Sequence, residues 1–258
     1  MKKKIKKLIG KKFLNFLKKL LYKRIDELDV IHNYLKRINS NHGVMVDVGV
    51  HYGESCIPFL KDGWKVYGFE PDKENQKILK KEITDTSNFV LFDYALSNEP
   101  GEMNFYASEE STGISSLLNF HETHIISNVV KVETLKNIID QHNIQNIKLL
   151  KIDVEGYDYF VLKGFDFEKH THPEYIICEY EDLKTSKLGY NVLDMIEYLQ
   201  TIGYKVLVCE WEPIIKYGGH HRFNKAKFYP CDLNPKAWGN LIAFKDENFI
   251  QFALKKMN

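Results

Sequence analysis

Four acidic residues stand where short apolar runs end, and from there a side chain can reach a ligand. Asp47 lies in VMVDVG, Glu70 ends KVYGFE, Asp93 follows FVLF, and Asp153 ends KLLKID. The ends of neighbouring parallel strands lie side by side, so we expect these carboxylates at one edge of the fold. Glu70 follows Gly49 by 21 residues, a spacing at which an acid accepts hydrogen bonds from the hydroxyls of a ribose. Asp93 is placed to accept the amine of an adenine.

The first of these runs opens into a glycine loop, VMVDVGVHYGES, over residues 44–55. Gly49 and Gly53 let the backbone pass close to a ligand. His51 stands where a full G-x-G-x-x-G loop has its middle glycine. The loop therefore favours a cofactor without a pyrophosphate and counts against an NAD-dependent oxidoreductase. We expect His51 to contact the substrate; the alternative is a loop histidine that only makes local hydrogen bonds.

Short β-rich runs alternate with helical patterns, which predicts a parallel sheet with crossover helices. The predicted strands are 44–48, 65–69, 89–92, 148–154, 175–179, 205–209 and 241–244. The predicted helices are 55–61, 73–83, 132–142, 157–163 and 192–201. Two long segments, 101–120 and 211–238, interrupt the alternation, and the first contains a short strand-like piece over 102–106. Long loops in a compact domain are commonly functional.

The second of these segments contains His220, His221 and Arg222. A histidine with a pKa near neutrality can act as a base, which makes His221 a catalytic candidate. His220 is predicted to contact the substrate, and Arg222 could bind a phosphate or carboxylate through two hydrogen bonds. The alternative is a surface turn stiffened by its glycines.

Several motifs together resemble the FkbM-type branch of the S-adenosylmethionine-dependent methyltransferases. They are DVGVHYGES, GFEPD, TGISSL, VETL and LLKIDVEGYDYFVLKG. The resemblance runs from about Val44 to Glu179 and resumes over 238–244. It implies an α/β, Rossmann-like class I methyltransferase fold with a seven-stranded, mostly parallel sheet and an antiparallel last strand. It also implies S-adenosylmethionine as the cofactor.

The same resemblance assigns the cofactor-binding residues. It places Asp47, Gly49 and Gly53 around the methionine part, Glu70 at the ribose and Asp93 at the adenine. Two further residues, Ser115 and Ser116, match the family's serine pair and are expected to lie over the cofactor.

Methyl transfer is a direct displacement, so an acceptor hydroxyl must be aligned and must lose a proton. Asp153 and Glu179 are predicted catalytic residues at the ends of adjacent strands, and Glu155 and Tyr157 are predicted to contact the substrate. Metal-dependent O-methyltransferases place acids at these same strand ends, so Asp153 and Glu179 could hold Mg²⁺. We expect that no metal is required, and Glu179 could instead be a salt-bridged or helix-capping acid.

The charge distribution separates a basic tail from an acidic body. Residues 1–24 hold eleven of the 36 basic residues and no acid, which leaves 25 bases and 35 acids in the remainder. Such a body lacks the positive surface that nucleic acids require. In this tail, apolar residues recur at three- and four-residue steps with lysines between them. This pattern predicts a basic amphipathic helix that packs on the body, on a second subunit or on anionic lipid. We assign residues 1–40 to an N-terminal helical extension and 41–258 to a methyltransferase domain.

Cysteine usage indicates a reducing, cytoplasmic setting. The four cysteines are widely spaced, so the sequence predicts neither a disulfide framework nor a zinc site, and Cys56 and Cys178 are expected to be buried.

The leading hypothesis is an O-methyltransferase acting on a sugar hydroxyl, with the sugar linked to a nucleotide and destined for a polysaccharide. The alternatives are a non-catalytic module with the same fold and a methyltransferase for another small molecule.

Overall fold

The computed structural model describes residues 25–40, 42–108, 112–215 and 221–258. Its strands, numbered along the chain, are β1 (Val44–Val48), β2 (Lys65–Phe69), β3 (Phe89–Phe92), β4 (Ala95–Leu96), β5 (Gly101–Ser108), β6 (His124–Glu133), β7 (Ile147–Ile152), β8 (Tyr175–Glu181), β9 (Lys205–Trp211), β10 (Phe223–Phe228) and β11 (Trp238–Phe244). The basic helix predicted over residues 1–24 lies outside the described residues.

The α-helices of the described chain lie between and after these strands. They are α1 (Glu27–Arg37), α2 (Ile57–Lys61), α3 (Lys73–Glu82), α4 (Leu135–His142), α5 (Asp158–Lys163), α6 (Asp182–Thr185), α7 (Val192–Thr201) and α8 (Glu247–Met257). None of the helices that the structure describes is long and apolar enough to cross a membrane.

The main sheet has the strand order β10-β9-β11-β8-β7-β1-β2-β3. Strands β3, β2, β1, β7 and β8 run parallel, whereas β11 is antiparallel to both β8 and β9. All seven predicted strands are present, and the predicted antiparallel last strand is confirmed. The predicted strand number is wrong by one, because β10 adds an eighth strand at the edge. Only Ala226 of β10 is buried, so its sequence carries little of the apolar signal of a strand.

The sheet is buried on both faces, which explains why its central strands read as continuous apolar runs. Residues alternate between the faces, as Leu149 and Leu150 of β7 illustrate. Leu150 packs in a core with residues of α4, α5 and α7, and Leu149 packs in a second core with residues of α1, α2 and α8. Cys56 and Cys178 are buried in these cores, as predicted.

A second, three-stranded sheet with the order β4-β6-β5 lies between β3 and β7 along the chain. The sequence predicted a strand over 102–106, inside β5, but missed β6. It also began helix 132–142 too early. Val132 belongs to β6, and α4 starts at Leu135 after Thr134, whose Oγ1 accepts the backbone N–H of Asn137 at 3.1 Å.

Helix α1 falls inside the predicted N-terminal extension, yet it packs into the main-sheet core through Ile31 and Leu35. Its first residue, Glu27, accepts a hydrogen bond from Nε1 of Trp211 in β9 at 2.7 Å. Burial raises the pKa of this glutamate above its ordinary value. Residues 27–37 therefore pack as part of the body, while the domain boundary at residue 40 stays a prediction.

Candidate functional site

A cavity opens at the carboxyl ends of β1, β2 and β7, with the small sheet forming its opposite wall. From the main sheet and the loops after its strands, the lining residues are Val48, Gly49, His51, Phe69, Glu70, Pro71, Asn75, Asp153, Val154 and Glu155. From the small sheet and the segment between β5 and β6 they are Tyr94, Ala95, Leu96, Phe105, Gly113, Ser115, Ser116 and Leu117. The position at the strand ends is where α/β sheets bind ligands.

Gly49 provides the sharp turn from β1 into this cavity. Its φ is +81°, and a Cβ built there would lie 1.9 Å from the carbonyl oxygen of Asp153. Gly53 also has a positive φ, +88°, and a Cβ there would lie 2.8 Å from Cδ1 of Leu79. Gly49 therefore shapes the cavity wall directly, whereas Gly53 packs behind the loop and does not line the cavity.

Asp47 is fully buried behind the loop and does not line the cavity. One oxygen accepts the hydroxyl of Ser55 at 2.5 Å, and the other lies 3.1 Å from Nζ of Lys151. The Lys151 ammonium also donates to the carbonyl of Gly49 at 3.2 Å and lies 3.5 Å from Asp153. Burial alone would lower the pKa of Lys151, but these two carboxylates raise it overall. Asp47 thus acts on the cavity through Lys151.

His51 has φ +48°, unusual for a residue with a side chain, and its ring lines the cavity stacked on Tyr52 at a centroid distance of 3.7 Å. Its backbone N–H donates to Oε2 of Glu70 at 3.0 Å. Burial lowers the pKa of the imidazole. The residue therefore connects the β1 loop to the acid after β2, and its predicted substrate contact stays a prediction.

Glu70 lines the cavity and is only 4% exposed. Its second oxygen accepts the backbone N–H of Asp72 at 2.9 Å. Burial raises the pKa of this carboxyl to about 7. Beside it, Oδ1 of Asn75 is buried without a hydrogen-bond partner among the described residues. A buried acceptor pair of this kind suits a ligand that donates hydrogen bonds, as ribose hydroxyls do.

Asp93 does not line the cavity, and its side chain is exposed. The residues that follow it, Tyr94, Ala95 and Leu96, line the wall instead, together with Phe105. These side chains form an apolar part of the wall. The predicted hydrogen bond from adenine to Asp93 stays a prediction.

The two predicted serines take different roles. Ser116 is buried, and its hydroxyl donates to the carbonyl of Glu155 at 2.9 Å and accepts the backbone N–H of Leu118 at 3.0 Å. Ser115 lines the cavity, and its buried Oγ has no hydrogen-bond partner within the described residues. Ser116 therefore holds the small sheet to the loop after β7. The Oγ of Ser115 and the Oδ1 of Asn75 are thus unpaired polar atoms in the wall of the described structure, so the lining fits the polar cofactor that the resemblance implies.

Three carboxylates meet at the ends of β7 and β8. One oxygen from each of Asp153, Glu155 and Glu179 lies within 4.8 Å of the other two. Nζ of Lys184 lies 2.5 Å from Glu155 and 3.4 Å from Glu179. Glu179 is thus the salt-bridged acid that the sequence offered as an alternative, and the three oxygens are also close enough to share a divalent cation.

Burial governs the electrostatics of these acids. It raises the pKa of Glu155, and it raises that of Glu179 well above its ordinary value. Asp158, also buried, accepts the backbone N–H groups of Gly156 and Glu179, and burial raises its pKa to about 7. The sequence did not single out Asp158.

Tyr157 was predicted to contact the substrate. It is half-buried and packs against the apolar cluster of the small sheet, whose members include Phe105 and Leu117. It does not line the cavity. Among the predicted substrate-contacting residues, the cavity wall includes His51 and Glu155.

His221 and Arg222 lie in the hairpin between β9 and β10, and His220 falls outside the described residues. The His221 ring packs edge-on against Trp238 of β11 at a centroid distance of 5.0 Å. Strand β11 is two strand spacings, about 10 Å, from β7. Arg222 is 81% exposed and pairs with Glu212 at 3.6 Å. The structure does not bring either side chain into the cavity wall.

Sequence reasoning missed both buried lysines. Lys151 gave a signal, because a lysine inside the apolar run KLLKI must find a partner when the strand is buried. Lys184 gave none, since it lies in a four-residue helix with polar neighbours. Asn75 was likewise unremarkable in the sequence of α3.

A protein-family model matches most of this chain. The family model described as "Methyltransferase FkbM domain" matches residues 47–206. The match begins at Asp47 and includes Glu70 after β2, Asp153 after β7 and Glu179 in β8. No curated protein sequence matches the chain.

Three solved structures are similar to this chain. A methyltransferase FkbM from Methylobacillus flagellatus KT is 18% identical over 80% of this chain and 44% of its own, with a TM-score of 0.48. An rRNA methylase from Streptococcus thermophilus is 11% identical over 86% of this chain and 98% of its own, with a TM-score of 0.44. A precorrin-6y C5,15-methyltransferase from Geobacter metallireducens GS-15 is 11% identical over 80% of this chain and 81% of its own, with a TM-score of 0.42. The chain thus spans less than half of the Methylobacillus protein.

Proposed function

The chain belongs to the FkbM family of S-adenosylmethionine-dependent methyltransferases, and we propose that it methylates a hydroxyl group of a sugar. The observation that carries the proposal is Asp153, an acid at the rim of the cavity whose side chain is 44% exposed. It is the lining carboxylate most open to an incoming acceptor.

The cofactor would lie between the two sheets. Glu70 would accept hydrogen bonds from the ribose, Ser115 would supply a hydroxyl to the polar groups of the cofactor, and Leu96 and Phe105 would contact the base. Bound S-adenosylmethionine supplies an electrophilic methyl group on a positively charged sulfur. Among the described residues of the lining are Glu70, Asp153 and Glu155 but no lysine or arginine, so the acidic character of the lining favours a cationic ligand.

Proton removal is assigned to Asp153. The acceptor hydroxyl would donate a hydrogen bond to its carboxylate; as the acceptor oxygen forms its bond to carbon, the proton would pass to the carboxylate and the carbon–sulfur bond would break. The ammonium of Lys151, 3.5 Å away, holds the Asp153 carboxylate in place. Glu155 and Glu179, which contact Lys184, are less open to an acceptor.

A sugar acceptor fits the polar character of the rim. Neighbouring carboxylates such as Asp153 and Glu155 can each accept hydrogen bonds from adjacent hydroxyls of a pyranose ring, and His51 adds a ring that can donate or accept. A nucleotide carrier for the sugar, and a role in polysaccharide synthesis, are further parts of the proposal. Arg222 would have to leave Glu212 to meet the carrier's phosphates.

The test combines calorimetry with transfer of a labelled methyl group. We expect S-adenosylhomocysteine to bind, and tritium to pass from S-adenosylmethionine to a member of a panel of free and nucleotide-linked sugars. Asp153→Asn should reduce turnover by about 100-fold or more with cofactor affinity retained, whereas Glu99→Gln, an exposed acid near the small sheet, should change neither.

Other outcomes of these assays would contradict separate parts of the proposal. Cofactor binding without transfer to any acceptor would indicate a non-catalytic module. Transfer only to non-sugar hydroxyls or amines would support a methyltransferase activity and refute the sugar as its acceptor. Full turnover in Asp153→Asn would show that Asp153 is not the base.

A further inference from the structure

A buried ammonium lies among three carboxylates at the end of β8. The Lys184 side chain is 3% exposed, and its Nζ lies 2.5 Å from Glu155, 2.7 Å from Glu181 and 3.4 Å from Glu179. Glu179 and Glu181 project from the same face of β8, because they are two residues apart. Lys184 follows in the short helix α6, whose Thr185 hydroxyl donates to the carbonyl of Glu181 at 3.3 Å. The strand and the helix thus fix the lysine over the acids.

We propose that Lys184 is a built-in cation that occupies the position a divalent metal ion would take among Glu155, Glu179 and Asp153, and that it keeps this site free of metal. The exclusion of metal concerns the folded chain itself. Its consequence, a transfer reaction that runs without metal, rests on the proposed function.

The distances leave room for one cation. Glu155 and Glu179 each contribute an oxygen to the group that lies within 4.8 Å, and Mg²⁺ binds carboxylate oxygens at about 2.1 Å. A metal shared by these oxygens would therefore lie in the space where Nζ of Lys184 already contacts both. Two positive charges cannot share a site of this size, since a monovalent and a divalent charge a few ångströms apart repel strongly in a buried environment.

The surroundings keep the ammonium charged. Burial alone would lower the pKa of Lys184, but Glu155, Glu179 and Glu181 raise it well above its ordinary value. The ring of Phe120 lies against the ammonium on another side, with Nζ 4.9 Å from the ring centroid, a contact that favours a cation. A metal ion would have to displace a charged, enclosed lysine that is anchored through α6.

The lysine is a positioning residue for the acceptor side of the cavity. It does not line the cavity, but Glu155, its closest partner, does. By contacting Glu155, Lys184 fixes the orientation of that carboxylate and opposes its protonation, which burial favours. Lys184 therefore supplies the positive charge next to Glu155 that a bound metal ion would otherwise supply.

The experiment measures Mn²⁺ binding by electron paramagnetic resonance on the full chain. We compare the wild type with Lys184→Met and with the control Lys187→Met, which removes an exposed lysine three residues away. The wild type and Lys187→Met should bind no Mn²⁺ at millimolar concentration. Lys184→Met should bind one equivalent of Mn²⁺, at least tenfold more tightly than either of these two proteins. Addition of Glu179→Gln to Lys184→Met should abolish that binding.

Thermal melting gives a second readout that a purely structural role would not produce. Mn²⁺ or Mg²⁺ at saturating concentration should raise the Tm of Lys184→Met by about 5 °C and leave the wild-type Tm unchanged. If Lys184→Met does not fold, the double variant Lys184→Met/Glu181→Gln removes one acid together with the cation and serves in its place.

Two results would overturn the proposal. One is stoichiometric Mn²⁺ binding to the wild type that Glu179→Gln abolishes. The other is a folded Lys184→Met or double variant, shown by retained S-adenosylhomocysteine binding, that takes up no Mn²⁺. Neither readout needs an acceptor, so a failure of the sugar proposal in the transfer assay would be seen separately.

Discussion

The ammonium of Lys151 lies 3.1 Å from the carboxylate of Asp47, and the two residues face each other in register on the adjacent parallel strands β7 and β1. Asp47 is completely buried, and the Lys151 side chain is 10% exposed. The same ammonium reaches the carbonyl of Gly49 and the carboxylate of Asp153. One lysine therefore joins the two strand ends that form the floor of the cavity.

Replacement of Lys151 should destabilise the fold. Lys151→Met leaves the carboxylate of Asp47 buried without its counter-charge, so we expect the free energy of unfolding to fall by about 3–5 kcal/mol. Lys148→Met is a matched control on the same strand, because that half-buried lysine donates to the hydroxyl of Ser40 and contacts no buried carboxylate of the described chain. This substitution should cost less than about 1 kcal/mol. Urea denaturation measures both, and equal losses would contradict the bridging role of Lys151.

Glu70 should make stability depend on pH. Its folded pKa of about 7 is above the ordinary value of 4.5, so the folded chain holds a proton that the unfolded chain releases. The resulting stability is present below pH 4.5 and is lost as pH rises through 7, by about 3 kcal/mol in total. Denaturation at several pH values should show this slope, and Glu70→Gln should reduce it.

Cofactor affinity should have the opposite dependence on pH. Ribose hydroxyls donate to the ionised carboxylate of Glu70, so the affinity for S-adenosylhomocysteine should rise about tenfold between pH 6 and 8. Calorimetry should show a flat profile for Glu70→Gln and the wild-type profile for Glu74→Gln, which removes an exposed acid at the start of α3. A rise that survives in Glu70→Gln would assign it to another group.

Substitution of the adjacent residues Ser115 and Ser116 should affect different properties, cofactor affinity in the first case and stability in the second. Ser115→Ala removes a buried hydroxyl that has no partner in the described structure, so we expect unchanged stability and about tenfold weaker S-adenosylhomocysteine binding. Ser116→Ala removes bonds to Glu155 and Leu118 and should cost about 1–3 kcal/mol of stability. Unchanged cofactor affinity in Ser115→Ala would place that hydroxyl away from the ligand.

Gly49 should not tolerate a side chain. Gly49→Ala combines a positive φ with a Cβ 1.9 Å from the carbonyl oxygen of Asp153, so we expect a loss of more than about 2 kcal/mol and of cofactor binding. Gly101→Ala has nothing within 4 Å of its Cβ and should change stability by less than about 1 kcal/mol. Thermal melting and calorimetry check both variants, and a stable Gly49→Ala that binds cofactor would refute the close approach.

His221 should have little effect on the chemistry. Its ring packs on Trp238 rather than in the cavity wall, so His221→Ala should change turnover by less than about threefold with the base assigned to Asp153. A fall of about 100-fold with cofactor affinity intact would instead support the catalytic role that the sequence suggested.

The seven strands found from the sequence are those buried on both faces, such as β1 and β7, whose apolar runs have no other explanation. Strand β6 was missed because most of its residues, including Ile125 and Val129, are exposed, so its sequence shows no burial pattern. Strand β10 was missed for a related reason, since it lies at the sheet edge.

The position of Glu70 in the cavity wall was more predictable from the sequence than the position of Lys184. Glu70 follows its strand directly, and the strand places it in the wall. The position of Lys184 depends on a one-turn helix that brings it back over β8, and no spacing in the sequence encodes that return. Asp93 shows the converse case, because a strand-end acid can still point to solvent when the chain turns into β4.

The cavity wall comes from chain segments that are far apart in the sequence, from Val48 in β1 to Glu155 after β7. A fragment that stops before β7 lacks Asp153, Val154 and Glu155, so the complete cavity forms only when β7 has joined the sheet. Any ligand that binds only the folded state lowers the population of unfolded chains available to proteases. On the proposed function, the amount of this protein in a cell should therefore follow the supply of S-adenosylmethionine, and starvation for methionine would deplete the protein as well as that cofactor.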